Sequence, residues 1–154
     1  NIQKIDFARY LILYQHGGIY LDLDVYPVKD FRFLFEKERF FVKWSDDSNL
    51  PYIAILGTEK KTDLYEKIIS HCIESVKEKN LKDIYKIWVG RYVFQTTGHY
   101  MLQRVLKKEN IYPSNFLEIL CVYNEEKNIH VKPENMENVY FQDSSASIWF
   151  NKKN

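Results

Sequence analysis

The segment HGGIYLDLDVYPV, residues 16–28, constrains the fold more than any other part of this sequence. Its alternation of apolar and polar residues predicts a strand over 19–24, because successive side chains along a strand point to opposite faces. One face consists of Ile19, Leu21, Leu23 and Val25. The other face consists of Tyr20, Asp22 and Asp24. We expect the aliphatic face to be buried inside a sheet, and the acidic face to meet a cation, a hydrogen-bonding ligand or water.

Length, charge and cysteine content limit the class of protein. A chain of 154 residues predicts one domain with a sizeable core. The formal net charge of +1 argues against bulk electrostatic binding to nucleic acid or to an anionic membrane. Cys72 and Cys121 have no metal-ligand spacing and form no disulfide framework, which favours a reducing compartment.

Targeting signals are not visible in the sequence. It contains no signal peptide and no apolar run long enough to span a membrane. The chain begins at Asn1 inside a helical pattern, so we expect it to be a piece of a longer protein. We expect a cytoplasmic location, or the Golgi lumen if a eukaryotic parent carries an N-terminal anchor.

Helix and strand signals alternate along the chain. Apolar periodicity and capping residues predict helices over 2–16, 61–79, 82–90, and from Thr96 or Thr97 to about Lys108. Gly17 and Gly18 end the first helix, since glycine adopts a left-handed conformation at little cost. The predicted strands cover 39–44, 51–56 and 117–123, and the polar stretch 124–139 has the composition of a loop. This alternation is typical of an α/β fold.

The first helix carries apolar and charged side chains together. Its helical periodicity comes from Ile5, Ala8, Leu11 and Ile12, which recur at three- and four-residue spacing. Asp6 and Arg9 are three residues apart and therefore share one face. The tight Gly17–Gly18 turn returns the chain beside this helix, which predicts that Arg9 approaches Asp22. The alternative for Asp6 and Arg9 is an exposed ion pair with little effect on stability.

Asp22 and Asp24 form a DxD pattern at the end of the predicted strand, just before a turn that contains Pro27. Ligands of α/β sheets collect at the carboxyl ends of strands. Two carboxylates at such a position suit a hard divalent cation. The three-residue pattern recurs by chance, so a solvated edge strand is an open alternative at this point.

The wider context of the DxD pattern resembles a known family. The stretch IDFARYLILYQHGGIYLDLDV, residues 5–25, resembles the DXD sugar-binding region of nucleotide-sugar glycosyltransferases. That family includes initiating mannosyltransferases and capsular-sugar transferases, and is related to the catalytic domains of glucosylating toxins. YVFQTTGHYML is similar to a Thr-Gly-Pro segment of the family, with His99 in place of the proline. ASIWF is similar to its closing Ser/Trp element, and Asp143 stands where many relatives have a histidine.

The resemblance implies a fold, a reaction and a set of site residues. The implied fold is the glycosyltransferase A type, Rossmann-like, with residues 1–154 as the catalytic part of one domain and without its N-terminal nucleotide-binding half. The implied reaction moves a hexose from a nucleoside-diphosphate sugar to a glycan, lipid or protein acceptor with retention, assisted by Mn²⁺ or Mg²⁺. The implied catalytic residues are Asp22, Asp24 and Arg9. The implied donor-sugar-binding residues are Asp6, Arg9, Tyr20, Asp22, Ser147 and Trp149. The implied metal ligands are Asp24, Asp22 and Asp143.

Two other functions are compatible with the pattern. A truncated or degenerate transferase would be a non-catalytic module that binds a sugar or a metal. A haloacid-dehalogenase-like phosphatase also has an apolar strand that ends in DxD, with Asp22 as nucleophile and Asp24 as acid/base. Tyr26 stands where such phosphatases have Thr or Val, which makes this alternative the weaker one.

Overall fold

The structure is a computed structural model that describes residues 2–32, 34, 40–44, 50–78, 89–111, 118–122, 129–131 and 139–143. The helices of this part are α1 Ile2–His16, α2 Asp63–Lys77, α3 Val89–Thr96 and α4 His99–Lys108. Its strands are β1 Gly18–Leu21, β2 Val25–Pro27, β3 Phe40–Trp44, β4 Pro51–Thr58, β5 Glu118–Val122, β6 Ile129–Val131 and β7 Val139–Asp143.

The described strands form two sheets. The first contains three antiparallel strands in the order β1-β4-β3. The second contains four strands in the order β2-β7-β5-β6, in which β5 and β7 run parallel. The chain leaves the first sheet after β1 and enters the second at β2, so the acidic segment connects the two sheets. Helices and strands are interspersed along the chain, which confirms the predicted α/β class.

Two hydrophobic clusters hold these elements together. Helices α1, α2 and α4 pack with the first sheet in one cluster, whose buried residues include Tyr10, Leu13, Val42, Leu56, Tyr65, Ile68, Met101 and Leu102. The other cluster joins the two sheets and contains Val25, Leu34, Ile55 and Phe141. Strand β4 contributes to both clusters, because its adjacent residues Ile55 and Leu56 point to opposite faces.

The strand predicted over 19–24 is shorter than expected. Strand β1 ends at Leu21, and in the described part of the chain it lies at the edge of its sheet rather than inside it. The Val25 N–H donates to the Asp22 carbonyl at 3.0 Å, which closes a four-residue turn. Leu23 projects from this turn and is fully exposed, so the prediction that it is buried is wrong. Leu21 is half-buried against the cluster that joins the sheets.

Helix α1 covers the predicted range, and its buried face contains charged residues. Ile5, Leu11 and Ile12, whose spacing predicts this helix, are 59%, 42% and 56% exposed. The buried face consists of Asp6, Arg9, Tyr10 and Leu13. Charged side chains can be buried when they are paired and hydrogen-bonded, as Asp6 and Arg9 are. Among the helices that the structure describes, none has both the length and the apolar character needed to cross a membrane.

Most of the other predicted elements are confirmed. The helix over 61–79 is found as α2, and the strands over 39–44, 51–56 and 117–123 are found as β3, β4 and β5. Helix α4 begins at His99 after an N-cap at Gly98, so the predicted threonine cap is wrong. Most of the predicted 82–90 helix lies outside the described residues. The stretch predicted as a loop over 124–139 contains the short strand β6.

Candidate functional site

Arg9 lies at the centre of a cluster built by α1, β1 and β4. Its side chain is 6% exposed, and Nη2 donates to Asp6 Oδ1 at 2.8 Å. Its Nη1 donates to the Ile53 carbonyl at 2.7 Å and lies 3.4 Å from Asp22 Oδ1. The guanidinium carbon lies 4.6 Å from the centroid of the Tyr20 ring, within range of a cation–π interaction. The predicted approach of Arg9 to Asp22 is therefore confirmed.

Asp22 is the outward member of this cluster. Its side chain is 34% exposed, and its Oδ1 accepts a hydrogen bond from the Tyr20 hydroxyl at 2.6 Å. Its main-chain N–H donates to the Ala54 carbonyl at 2.9 Å, which fixes the end of β1 to β4. Burial and the hydrogen bond to the carboxylate raise the pKa of Tyr20 to about 12. Tyr20 therefore stays protonated and holds Asp22 in place at neutral pH.

Asp6 is the buried member of the cluster and is 2% exposed. Both of its carboxylate oxygens have partners: Oδ1 accepts from Arg9, and Oδ2 accepts from the Thr97 hydroxyl at 3.1 Å. Burial raises the pKa of Asp6, and the interactions with Arg9, Thr97 and His99 limit that rise. The cluster sets two carboxylates against one guanidinium, which leaves negative charge at the partly exposed Asp22.

Three groups that support the cluster are not predicted from the sequence. Thr97 is 91 residues away from Asp6 along the chain, so no local spacing connects them. The Tyr10 hydroxyl donates to the Thr97 carbonyl at 2.9 Å, and the position of Tyr10 directly after Arg9 in the sequence does not indicate this distant partner. The Ile53 carbonyl accepts from Arg9, and a main-chain acceptor leaves no mark in a sequence. The sequence feature that draws attention to Thr97 is the similarity of the Thr-Thr-Gly segment to the Thr-Gly-Pro segment of the family.

His99 replaces the proline that the resemblance predicts after Thr-Gly. Its Nδ1 donates to the Pro51 carbonyl at 2.9 Å, since a carbonyl can only accept. Its ring packs edge-on against Phe94 at a centroid distance of 5.4 Å. These contacts fix the start of α4 to the start of β4, so the segment keeps a defined shape without the proline.

The remaining predicted site residues lie near the acidic turn or outside the described part. Asp24 belongs to the 22–25 turn and is exposed. The backbone of Asp143 pairs with Val25, which brings residue 143 next to this turn. The side chain of Asp143 is not among those described, and Ser147 and Trp149 lie outside the described residues. Their roles stay predictions.

A divalent cation fits the chemistry of the turn only with help from a ligand. Within the described residues, no three His, Cys, Asp or Glu side chains form a group that could hold a metal ion. Asp22 is engaged by Tyr20 and Arg9 and is partly exposed, and Asp24 is an exposed carboxylate, the type of group that supplies hard oxygen donors. Proteins bind Mg²⁺ through one or two carboxylates together with substrate phosphates and water. The donor set therefore suits a cation that is shared with a phosphate-bearing ligand.

Comparison with known proteins finds a family model that is similar to the N-terminal part of the chain. Residues 1–41 match the family model described as "Glycosyltransferase sugar-binding region containing DXD motif". The resemblance deduced from residues 5–25 is thus confirmed as a similarity to this region over residues 1–41.

Two curated yeast proteins are similar to part of the chain. The chain is 38% identical over 68 residues to inositol phosphoceramide mannosyltransferase 1 of Schizosaccharomyces pombe, which covers 44% of this chain and 21% of that protein. It is 61% identical over 28 residues to the putative glycosyltransferase HOC1 of Saccharomyces cerevisiae, which covers 18% and 7%. The similarity to the first protein therefore covers about a fifth of its length.

A solved structure supports the fold. The PaToxG glycosyltransferase superposes with a TM-score of 0.52 at 21% identity, covering 70% of this chain and 35% of that one. At this identity the similarity concerns the fold alone. The chain shares the α/β fold of that structure over 70% of its own length, which confirms the α/β fold class.

Proposed function

We propose that this chain forms the donor-sugar and catalytic part of a retaining glycosyltransferase. The enzyme would move a hexose from a nucleoside-diphosphate sugar to a glycan, lipid or protein acceptor. One observation carries this proposal: a buried Asp6–Arg9 pair lies directly behind the outward Asp22. Buried ion pairs are poor stabilising devices, because desolvation offsets their attraction. Holding a ligand-binding carboxylate is a role that accounts for the position of this pair.

On the sugar side, Asp22 accepts hydrogen bonds from hydroxyl groups of the donor. The Tyr20 hydroxyl and the Arg9 guanidinium restrict its side chain, so the acceptor oxygens are oriented before the donor arrives. Both carboxylate oxygens of Asp6 accept hydrogen bonds, one from Arg9 and one from Thr97. The role of Asp6 is to hold Arg9 beside Asp22. Each hydrogen bond to the charged carboxylate contributes about 1.5–3 kcal/mol.

On the diphosphate side, Asp24 is the residue that would hold Mn²⁺ or Mg²⁺, with Asp143 as a second candidate ligand. When bound, the cation supplies Lewis-acid stabilisation of the charge that develops on the leaving phosphate. Asp22 and Asp24 both belong to the 22–25 turn. We therefore propose that the two acids bind adjacent parts of one donor. Ser147 and Trp149 are proposed to close over the diphosphate.

The donor test uses a panel of nucleotide sugars, with release of nucleoside diphosphate measured in the presence of Mn²⁺, Mg²⁺ or EDTA. GDP-mannose comes first, because one similar protein is named as a mannosyltransferase. The assay uses the full natural protein that contains this chain. We expect one donor of the panel to be turned over in a metal-dependent manner, and the anomeric configuration of the product to match that of the donor.

Two variants test whether Asp22 and Asp24 have different roles. Asp24→Asn should weaken metal dependence and turnover together, whereas Asp22→Asn should keep the metal dependence and lose donor affinity by roughly tenfold to a hundredfold. Asp30→Asn is the matched control, because Asp30 is an exposed acid engaged only with Arg32 in the described contacts. Donor binding without turnover would indicate a non-catalytic module, and a phosphoryl adduct on Asp22 would indicate a phosphatase.

A further inference from the structure

The junction between α3 and α4 contains two adjacent threonines that are both buried. Thr96 is 0% exposed and Thr97 is 2% exposed. Both are tied to α1: Gln3 Nε2 donates to the Thr96 hydroxyl at 2.6 Å, and Tyr10 donates to the Thr97 carbonyl at 2.9 Å. A third hydrogen bond runs from the Thr97 hydroxyl to Asp6 Oδ2. The junction therefore reaches the Arg9 cluster through the side chain of Thr97.

The hydroxyl of Thr97 has a choice of acceptors. It lies 3.1 Å from Asp6 Oδ2 and 3.4 Å from the Val93 carbonyl, and it has one proton to donate. An ionised carboxylate is the stronger acceptor, because charge-assisted hydrogen bonds are roughly twice as strong as neutral ones. The proton therefore goes to Asp6 while Asp6 is charged, and this contact fixes the plane of the carboxylate.

The orientation of Asp6 matters because its other oxygen accepts from Arg9. Thr97, Asp6, Arg9 and Asp22 form a continuous chain of contacts, at 3.1, 2.8 and 3.4 Å between successive members. Asp6 is 2% exposed, so no water shell takes over if Thr97 stops donating. A change at Thr97 is thus transmitted to the guanidinium that faces Asp22.

We propose that Thr97 is a positioning residue of the donor-sugar site, acting through Asp6 on Arg9 and Asp22. The role rests on the proposed glycosyltransferase function. The residue touches neither donor nor cation. It orients the buried carboxylate that holds the guanidinium, and so prepares the exposed carboxylate for the sugar hydroxyls.

Thr96 supplies a matched control at the same junction. It is the same residue type, equally buried, and hydrogen-bonded to α1 through Gln3. Its hydroxyl donates to the Tyr92 carbonyl at 2.8 Å, and no described contact links it to Asp6. Thr96→Val therefore removes a junction hydroxyl of equal burial and leaves the chain of contacts to Asp22 intact.

The test compares Thr97→Val, Thr97→Ser and Thr96→Val in the full protein, with the donor that the nucleotide-sugar panel identifies. Thr97→Val should lower kcat/KM for that donor by roughly tenfold, the effect of losing one hydrogen bond to a charged group. Thr97→Ser keeps the hydroxyl and should restore most of the rate. Thr96→Val should leave kcat/KM within about twofold of wild type. Equal losses for both valine variants, or no rescue by serine, would overturn the positioning role.

A second measurement does not depend on catalysis. Titration of the Asp6 carboxyl carbon by NMR should give a higher midpoint in Thr97→Val than in wild type, because the hydroxyl favours the ionised form. The midpoint in Thr96→Val should not move. An unmoved midpoint in Thr97→Val refutes the positioning role whatever the turnover. Absence of turnover of every donor by wild type, with a shifted midpoint, refutes the proposed function instead.

Discussion

Replacing Arg9 by methionine removes the one positive charge at the centre of the cluster while keeping a long apolar stem. The variant leaves Asp6 buried at 2% exposure with Thr97 as its remaining partner. It also removes the donor that satisfies the Ile53 carbonyl. Two acceptors thus lose a partner in a place that water does not reach, and we expect the fold to be strongly destabilised.

The size of this effect follows from the burial of the pair. Removing one partner of a buried ion pair costs about 3–5 kcal/mol, because the other charge stays behind uncompensated. A domain of this size has a free energy of unfolding of about 5–15 kcal/mol, so the loss is a large fraction of the total. With a urea m-value of about 2 kcal/mol/M, the midpoint of unfolding should fall by about 1.5–2.5 M.

The loss should depend on pH, with a sign set by Asp6. Burial raises the pKa of Asp6 above its ordinary value of 3.8, so the folded state holds the proton more tightly than the unfolded state. That contribution to stability is fully present below pH 3.8 and is lost as the pH rises through the folded pKa. Without Arg9 the folded pKa rises further and more stability is lost. The deficit of Arg9→Met should therefore be larger at pH 7 than at pH 5.

Urea unfolding followed by circular dichroism, at several pH values between 5 and 8, measures both effects. Arg32→Met is the control, because Arg32 is an exposed arginine paired with Asp30, and its midpoint should match wild type. The double variant Asp6→Asn/Arg9→Met should lose the pH dependence that comes from Asp6, since no other buried carboxylate is found among the described residues. A deficit no larger than that of Arg32→Met, or one that does not change with pH, would refute a buried charge pair at this site.

Three further outcomes follow from the described geometry. Gly17→Ala should be less stable than Gly18→Ala by at least about 1 kcal/mol in urea unfolding, because a Cβ at Gly17 would lie 2.6 Å from the Lys60 nitrogen, whereas one at Gly18 meets nothing within 4 Å. Leu21→Ala should lower the thermal midpoint, while Leu23→Ser should leave it unchanged because Leu23 is fully exposed; equal effects would contradict the shortened strand. Cys72 should resist iodoacetamide in the native state at pH 8, since it is 1% exposed and burial raises its pKa to about 12; native labelling by mass spectrometry would contradict that.

The core of the candidate site could be predicted because its determinants are local. Asp6 and Arg9 share a helix face by their three-residue spacing, and the Gly17–Gly18 turn folds that face against the following strand. Gly17 has φ +67°, the left-handed value that favours glycine at a helix end. Short-range geometry was therefore enough to predict that Arg9 approaches Asp22.

The features that could not be predicted from the sequence depend on contacts between residues far apart along the chain. Apolar periodicity predicts helix α1 but not its buried face, because Ile5 and Ile12 are exposed and the paired Asp6 and Arg9 are buried. The partners that make this possible, Thr97 and the Ile53 carbonyl, come from distant elements. Likewise, nothing in the alternation over 19–24 indicates that the chain changes sheets after Asp22.

Because the chain changes sheets at the 22–25 turn, the positions of Asp22 and Asp24 depend on contacts with different sheets. Asp22 is tied to β4 and to Arg9, which belong with the first sheet. The residue after Asp24, Val25, pairs with Asp143 in the second sheet. Substitutions in the second sheet can therefore shift Asp24 without disturbing the hydrogen bonds that orient Asp22. Under the proposed roles of the two acids, cation preference and sugar preference could therefore diversify independently, each through substitutions in a different sheet.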